Sequence, residues 1–339
     1  MRVLVTGCAG LVGSWVAEAL CREKDVELVL GLDDLSGGEI ANVEIITDPK
    51  FRFHQFDIAN YQKLEDLFRA HRPHVVFHAA ACAREGASAF QPAHIERTNL
   101  NISTILLEVA IKHKVKRFIF TSSMAVMGNG KCPYTEKMRR NPIDVYGINK
   151  AAVEQTIEVL SEVHGFEYVI IRPHNIIGPR QIFDMYRNVV TIFINRLMRK
   201  EPLYVFGEGH IRAFSYIEDS VPSLVRATIG NVTNEIIFVG GKEPITIEQL
   251  LDAVIEDFAP DYTPKIIHLP PRPLEVSEAW CSVEKSIELL GYKEEISWRE
   301  GVRRTVKWAK EKKGPQPWRV DNLPLINELT PKPWLELGR

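Results

Sequence analysis

Patterns that form disulfides or bind metals are scarce in this chain. Its five cysteines, Cys8, Cys21, Cys82, Cys132 and Cys281, are odd in number and scattered, with no Cys-x-x-Cys pair. That pattern does not suggest a disulfide framework, and a reducing cytoplasm is the expected compartment. His71, His74 and His78 straddle a predicted helix end and a strand, so no single face can present all three to a metal. No apolar run approaches the ~20 residues of a membrane-spanning helix. Neither sign of charge dominates. With 42 Lys and Arg against 44 Asp and Glu the formal net charge is −2, which offers no global attraction to nucleic-acid backbones or anionic membranes. The one basic run, 310–313, reads as a solvated helix face. The opening Met1-Arg2-Val3-Leu4-Val5 runs straight into a Gly-rich turn, so no signal peptide is expected. No internal repeat is visible.

What remains is a chain of 339 residues, 45% hydrophobic and 25% charged, long enough for a large domain plus a smaller one. In the first half, predicted strands at 3–5, 27–32, 51–56, 75–78, 117–121 and 167–172 alternate with predicted helices at about 10–22, 63–71, 94–113 and 144–164. Crossovers of that length imply a parallel sheet covered on both faces, hence a doubly wound α/β domain. After Pro173 the rhythm changes. A loop rich in Gly, Pro and Arg precedes predicted helices at 188–199, 217–229, 245–258 and 283–290, mixed with extended runs at 203–206, 235–239 and 265–269. These suit a smaller α/β substrate domain, partly interleaved with the first. The expected division gives 1–173 and about 211–240 to the larger domain, and about 174–210 and 241–313 to the smaller. In the tail 314–339, Pro315, Pro317, Pro324, Pro331 and Pro333 prevent a long helix. Trp318 and Trp334 can pin that tail to a surface.

The segment Thr6-Gly7-Cys8-Ala9-Gly10-Leu11-Val12-Gly13 joins the first predicted strand to the first helix. Gly7, Gly10 and Gly13 permit a tight turn, close backbone approach to a pyrophosphate and close helix packing. The helix start at Leu11 and Val12 then offers unpaired N–H groups and partial positive charge. The second strand ends in Asp33-Asp34, where a dinucleotide site wants an acid for a ribose. Asp33 would accept from the adenosine hydroxyls and repel a 2′-phosphate, which favours NAD over NADP. Asp57-Ile58 can meet the adenine edge, or Asp57 can cap the helix that follows.

Tyr146 and Lys150 stand four residues apart, on one face of a helix. An ammonium within ~4–6 Å favours the ionised phenol by about 1–3 pKa units, so Lys150 and a positive nicotinamide ring are together expected to hold Tyr146 ready as a base. One strand earlier, Thr121-Ser122-Ser123 lies at a carboxyl edge, where ligands of such sheets bind. Ser123 can hydrogen-bond a reacting oxygen, whereas Ser122 reads as a turn serine bonded to local backbone. His174 reads as a packed, hydrogen-bonded histidine. Arg84-Glu85 can border a ligand or form a loop ion pair.

Together these motifs resemble the extended short-chain dehydrogenase/reductases, and within them the UDP-glucose 4-epimerases and their nucleotide-sugar relatives. Further matches are His78-Ala79-Ala80-Ala81, Arg172-Pro173-His174-Asn175-x-x-Gly178-Pro179 and Gly207-x-Gly209-x-x-Arg212-Ala213-Phe214-x-Tyr216. The likeness runs over roughly residues 1 to 310. It implies a Rossmann fold, NAD as cofactor and a nucleotide-diphosphate sugar, UDP-linked, as substrate; a homodimer through the helices near 94–113 and 144–164 is expected with it. Gly7, Gly10 and Gly13 would hold the pyrophosphate, Asp33 the ribose, and Asp57 and Ile58 the adenine. Ala79, Ala80, Ala81, Asn99 and Pro173 would line the cofactor. Ser123 and Tyr146 would face the sugar, and Lys150 the nicotinamide ribose. Asn175, Asn188, Arg212 and Arg272 would grip the nucleoside diphosphate, with Glu275 on the uridine ribose. The implied reaction oxidises the sugar at C-4 and reduces the ketone from its other face, as in UDP-glucose and UDP-galactose interconversion. Dehydratases of the family carry an acid beside the catalytic hydroxyl, where this chain has Met124 and Ala125. Met127 replaces a customary tyrosine. Ala279 falls at a position that limits pocket size, and a side chain this small leaves space for an N-acetyl group. A reductase, dehydratase or decarboxylase of the same family and a non-catalytic NAD sensor are the alternative readings; the intact Tyr-x-x-x-Lys pair argues against the last.

Overall fold

The computed structural model describes residues 1–320 and 323–336. Six β-rich runs of the first half form parallel strands: β1 (Arg2–Thr6), β2 (Leu28–Asp33), β3 (Phe51–Gln55), β4 (Val75–His78), β5 (Arg117–Thr121) and β6 (Glu167–Pro173). With Glu235–Val239 beside β6 they make a seven-stranded sheet, ordered from that strand through β6, β5, β4, β1 and β2 to β3. Alternation along β1 shows why both faces are covered. Val3 and Val5 join the core of the helix Leu11–Cys21, whereas Leu4 joins Leu64, Phe68 and Leu106 on the opposite side. This is the expected Rossmann-type sheet. Its order reverses between β1 and β4, and a crevice at the carboxyl ends there is where such folds take ligands.

Beyond β6 the chain builds short sheets. Leu203–Phe206 pairs with Ile266–Leu269, Ile211–Ala213 lies between Pro244–Thr246 and Glu278–Ala279, and Ile176–Ile177 pairs with Ser215–Tyr216. The helices Val189–Met198, Ile247–Phe258 and Trp298–Glu311 pack here, and Phe193, Val254 and Val302 belong to the same continuous core as Val3.

Three expectations change. The helix expected over 245–258 starts two residues later, because Thr246 and Gln249 form a reciprocal capping box (3.1 and 2.8 Å) and residues 244–246 are a strand. The helix expected over 94–113 is interrupted by a wider π-type turn at Arg97–Asn101, between Pro92–Glu96 and Ile102–Lys112. The fourteen-residue helix Trp298–Glu311, suggested beforehand only by its basic end, is capped by Ser297, which accepts from Glu300 N at 3.3 Å. Among the described residues no helix is long and apolar enough to cross a membrane.

Candidate active site

Two cavities meet at the carboxyl edge of the sheet. Gly7, Gly10, Leu11, Val12, Gly13, Asp33, Asp57, Ile58, Ala79, Ala80, Ala81, Tyr146, Lys150 and Pro173 line the first; Asn175, Asn188, Arg212, Arg272, Glu275 and Ala279 line the second. Ala83, Ile176, Arg187 and Asn188 belong to both walls.

The floor of the first cavity is backbone. Gly7 has φ +71°, and a Cβ there would lie 2.6 Å from Ala80 N; one at Gly13 would lie 2.1 Å from Gly7 O. Only hydrogen fits at either position. The following helix begins at Gly10 with no side-chain cap, so its N–H groups remain for an anion. Asp33 accepts from Ala9 N at 3.0 Å and Leu35 N at 2.8 Å. Burial raises its carboxyl pKa despite those two bonds. These features fit a dinucleotide. Asp57 faces the same cavity but ion-pairs with Arg97 at 2.6 Å. The cap of the next helix is Asn60, which accepts from Lys63 N. Asn99 does not line the cavity. Its amide is spent on both backbone groups of Cys82 (2.9 and 3.1 Å), which steadies the wall from behind.

Tyr146 and Lys150 sit on the first turns of the helix Val145–His164, whose start is capped by Asp144 accepting from Gly147 N at 2.8 Å. A Cβ at Gly147 would meet Ala125 O at 2.6 Å, so this glycine lets the helix close on the chain after Ser123. The Ser123 hydroxyl accepts from Ala125 N at 3.1 Å and lowers the pKa of the phenol, although Ser123 is not itself part of either lining. Lys150 Nζ donates to Thr121 O at 2.8 Å and lies 5.8 Å from the Tyr146 ring centroid.

Burial pushes the Tyr146 phenol up, opposed by Ser123 and by Arg187. Burial also pulls Lys150 down to about 7, with Glu154 opposing. Lys150 gives one of its three N–H donors to Thr121 O, and burial makes its own charge costly here. Ser122, expected to bond local backbone, instead donates to Glu154 Oε1 at 2.6 Å. Glu154 also takes Arg172 in a two-point pair (2.9 and 2.7 Å) and Arg140. Burial would raise Glu154, but Arg172 and the other donors outweigh it and lower its pKa. At position 127 the Met sulfur receives Arg172 Nη1 at 3.5 Å.

In the second cavity, Asn175 Nδ2 donates to Ala213 O at 2.9 Å. Asn188 holds φ +65° at the start of the Val189–Met198 helix, and its Nδ2 is buried with no partner. Arg212 is braced by the carbonyls of Ile211, Val276 and Ser277. Arg272 and Glu275, assigned separate ligands by the resemblance, grip each other: Arg272 N and Nε each lie 3.0 Å from Glu275 Oε2. His174 is buried, with Nδ1 3.2 Å from Ala213 O, and His78 is held between Thr6 and Ser103.

Sequence reasoning passed over Arg187, Asp144 and Glu154. Arg187 lines both cavities and its Nε is buried without a partner. Its only advance signal is membership of the Arg-containing loop after Pro173. Glu154 extends the Tyr146–Lys150 face by one further four-residue step.

Such an arrangement suits an enzyme that passes hydride between a dinucleotide and a ligand in the adjoining cavity. A profile of the NAD dependent epimerase/dehydratase family matches residues 3–240, and the chain belongs to that family. It is 30% identical over 311 residues to a putative UDP-glucose 4-epimerase of Methanocaldococcus jannaschii, covering 91% of this chain and 98% of that one. To a UDP-glucuronate 4-epimerase of Thermodesulfobacterium geofontis it is 30% identical over 320 residues, covering 91% and 96%. Among solved structures it resembles the UDP-glucose 4-epimerase of Thermotoga maritima with UDP-glucose, at TM-score 0.84 and 32% identity, covering 92% of this chain and 99% of that one. Matches at 26% identity include a decarboxylase and dehydratases, so membership alone leaves the reaction open between these classes.

Proposed function

We propose that the protein is a 4-epimerase of a UDP-linked hexose. The observation that carries this reading is the position of Tyr146, which lines the first cavity one helical turn from Lys150, with Ser123 at the end of the neighbouring strand and Arg187 on the wall the two cavities share. NAD, when bound, supplies a hydride acceptor and later a donor, together with a cationic ring in its oxidised form. Gly7, Gly10, Gly13 and Asp33 would hold it. Tyr146 exchanges a proton with the 4-hydroxyl, and Ser123 hydrogen-bonds the same oxygen. Arg212, Arg272 and the unpartnered amide of Asn188 hold the diphosphate end, so the 4-keto sugar is tethered while it presents its other face.

At the positions following Ser123, where dehydratases of the family carry an acid, this chain has Met124 and Ala125, which favours epimerisation. The test incubates purified protein with NAD and UDP-glucose, UDP-galactose or UDP-N-acetylglucosamine, the last because Ala279 leaves the second cavity wide. Conversion to the C-4 stereoisomer without accumulating NADH is expected. Net NADH, or a 4-keto-6-deoxy product, would replace this reading with a dehydrogenase or dehydratase.

A further inference from the structure

The turn 84–88 forms one lip of the second cavity. Arg84 folds inward, its Nε 2.7 Å from Asp184 Oδ2 in a buried ion pair. Ala87 N and Ser88 N close the turn on the carbonyls of Arg84 and Glu85 (3.2 and 3.1 Å). Glu85 faces the other way. It is solvent-exposed, yet it lines the second cavity with Ala83, Gly86, Met124, Ala125 and Asp144. Its exposed surface is therefore cavity wall. No hydrogen bond or ion pair joins its carboxylate to any described residue.

Its neighbours fix its place along the cavity. On one side stand Arg212 and Arg272; a Cβ on Gly86 would lie 3.0 Å from Arg272 Nη1. On the other stands Asp144, which caps the helix bearing Tyr146. Burial raises the Glu85 carboxyl pKa while Arg212 and Arg272 lower it, and its charge is felt at Tyr146. The residue thus shares this cavity with both guanidinium groups and Asp144, and its charge reaches Tyr146, so the ring of a nucleotide-linked sugar held there would pass it.

A carboxylate without a partner in a ligand cavity must either find donors on the ligand or repel it. Sugar hydroxyls are donors. A sugar carboxylate is a like charge brought into a partly desolvated space. The chain's relatives divide on this point, since one is named for UDP-glucose and another for UDP-glucuronate. We propose that Glu85 is a specificity-determining residue that accepts from a hydroxyl of a neutral hexosyl ring and excludes hexuronosyl nucleotides. This rests on the 4-epimerase reading above.

The test compares kcat/KM for UDP-glucose and UDP-glucuronate in the full-length protein and in Glu85→Gln. The exposed turn makes the amide tolerable for folding, which an unchanged melting temperature checks. Wild type should favour UDP-glucose by about tenfold or more, and Glu85→Gln should narrow that ratio by about tenfold. Equal use of the two sugars by wild type, or a ratio unmoved by the substitution, overturns the proposal. Should neither these sugars nor UDP-N-acetylglucosamine turn over, the epimerase reading fails by itself. Glu85 is then judged by calorimetric titration: weaker UDP-glucuronate than UDP-glucose binding in wild type, relieved in Glu85→Gln, supports it, and equal binding overturns it.

Discussion

Burial and charge pull the Tyr146 phenol in opposite directions. The ring packs against Ile95 and Ala125, and desolvation holds the proton on; Ser123 and Arg187 act the other way. Lys150 sits too deep to give its charge freely, which is why its own pKa falls to about 7. Ionising the phenol thus calls for further positive charge, and the cavity it borders is the place for a cationic ligand to supply it. Tyr146→Phe keeps the ring and removes only the proton-carrying oxygen. Turnover of the UDP-sugar should fall by about 10²–10⁴-fold, while NAD binding and melting temperature stay near wild type. Initial rates measured beside an NAD titration check this, and a variant keeping most of its turnover would remove Tyr146 from the chemistry.

The helix Val145–His164 carries Tyr146, Lys150 and Glu154 on one face, and its cap is a charged group in a poor place for charge. Asp144 is 5% exposed, and burial, then Glu85, raises its carboxyl from 3.8 to about 7. Below about pH 4 folded and unfolded chains both hold that proton, so the contribution to stability is then complete. Between about 4 and 7 the unfolded carboxyl ionises and the folded one does not, so stability is lost as pH rises, by at most about 1.4 kcal/mol per unit. Asp144→Asn keeps a capping oxygen and cannot titrate. Its melting temperature should gain on wild type between pH 4 and 7; parallel curves would refute the assignment. The sheet, unlike this cap, was legible beforehand, because β1 to β6 are β-branched runs punctuated by Gly, Pro and Asp. Two-residue strands such as Ile176–Ile177 and Ser215–Tyr216 are too short to show a period. The break at Arg97–Asn101 was hidden because nothing local marks it; Asn99 within it bonds Cys82, seventeen residues away. The same holds for the site. Gly7 to Gly13 and Tyr146 with Lys150 are local patterns, whereas Arg187, Glu85 and Asp144 acquire meaning only when the fold brings their loops together.

At the scale of the molecule, the segment after Gly314 ties the two cavities to each other. Arg319 donates from its backbone to Phe183 O and from its guanidinium to the carbonyls of Leu35, Ser36 and Gly38, and Ser36 and Gly37 border the first cavity. Pro333 and Trp334 line the second, where Trp334 meets Phe90 and Tyr186 edge-on. Arg319→Ala should free the turn after Asp33 and weaken NAD binding by up to about tenfold, read by titration calorimetry; unaltered affinity would reduce Arg319 to a surface contact. The helix Val145–His164 also carries an exposed apolar stripe. Ile148, Val159 and Val163 are 51%, 59% and 68% exposed on the helix Val145–His164. Steps of eleven and four residues return to nearly the same face, since eleven residues overshoot three turns by only about 20°. Exposed valine and isoleucine in a row, on a helix whose other face holds the site, mark a surface that another copy can cover. The expected state is therefore a homodimer with this helix at its centre. Val159→Asp with Val163→Asp leaves the monomer's own core untouched, because neither side chain contributes to it. By sedimentation velocity the wild type should run at twice 38.6 kDa and the double variant at 38.6 kDa. A wild type that sediments as a single chain, or a dimer indifferent to both charges, would place the interface elsewhere.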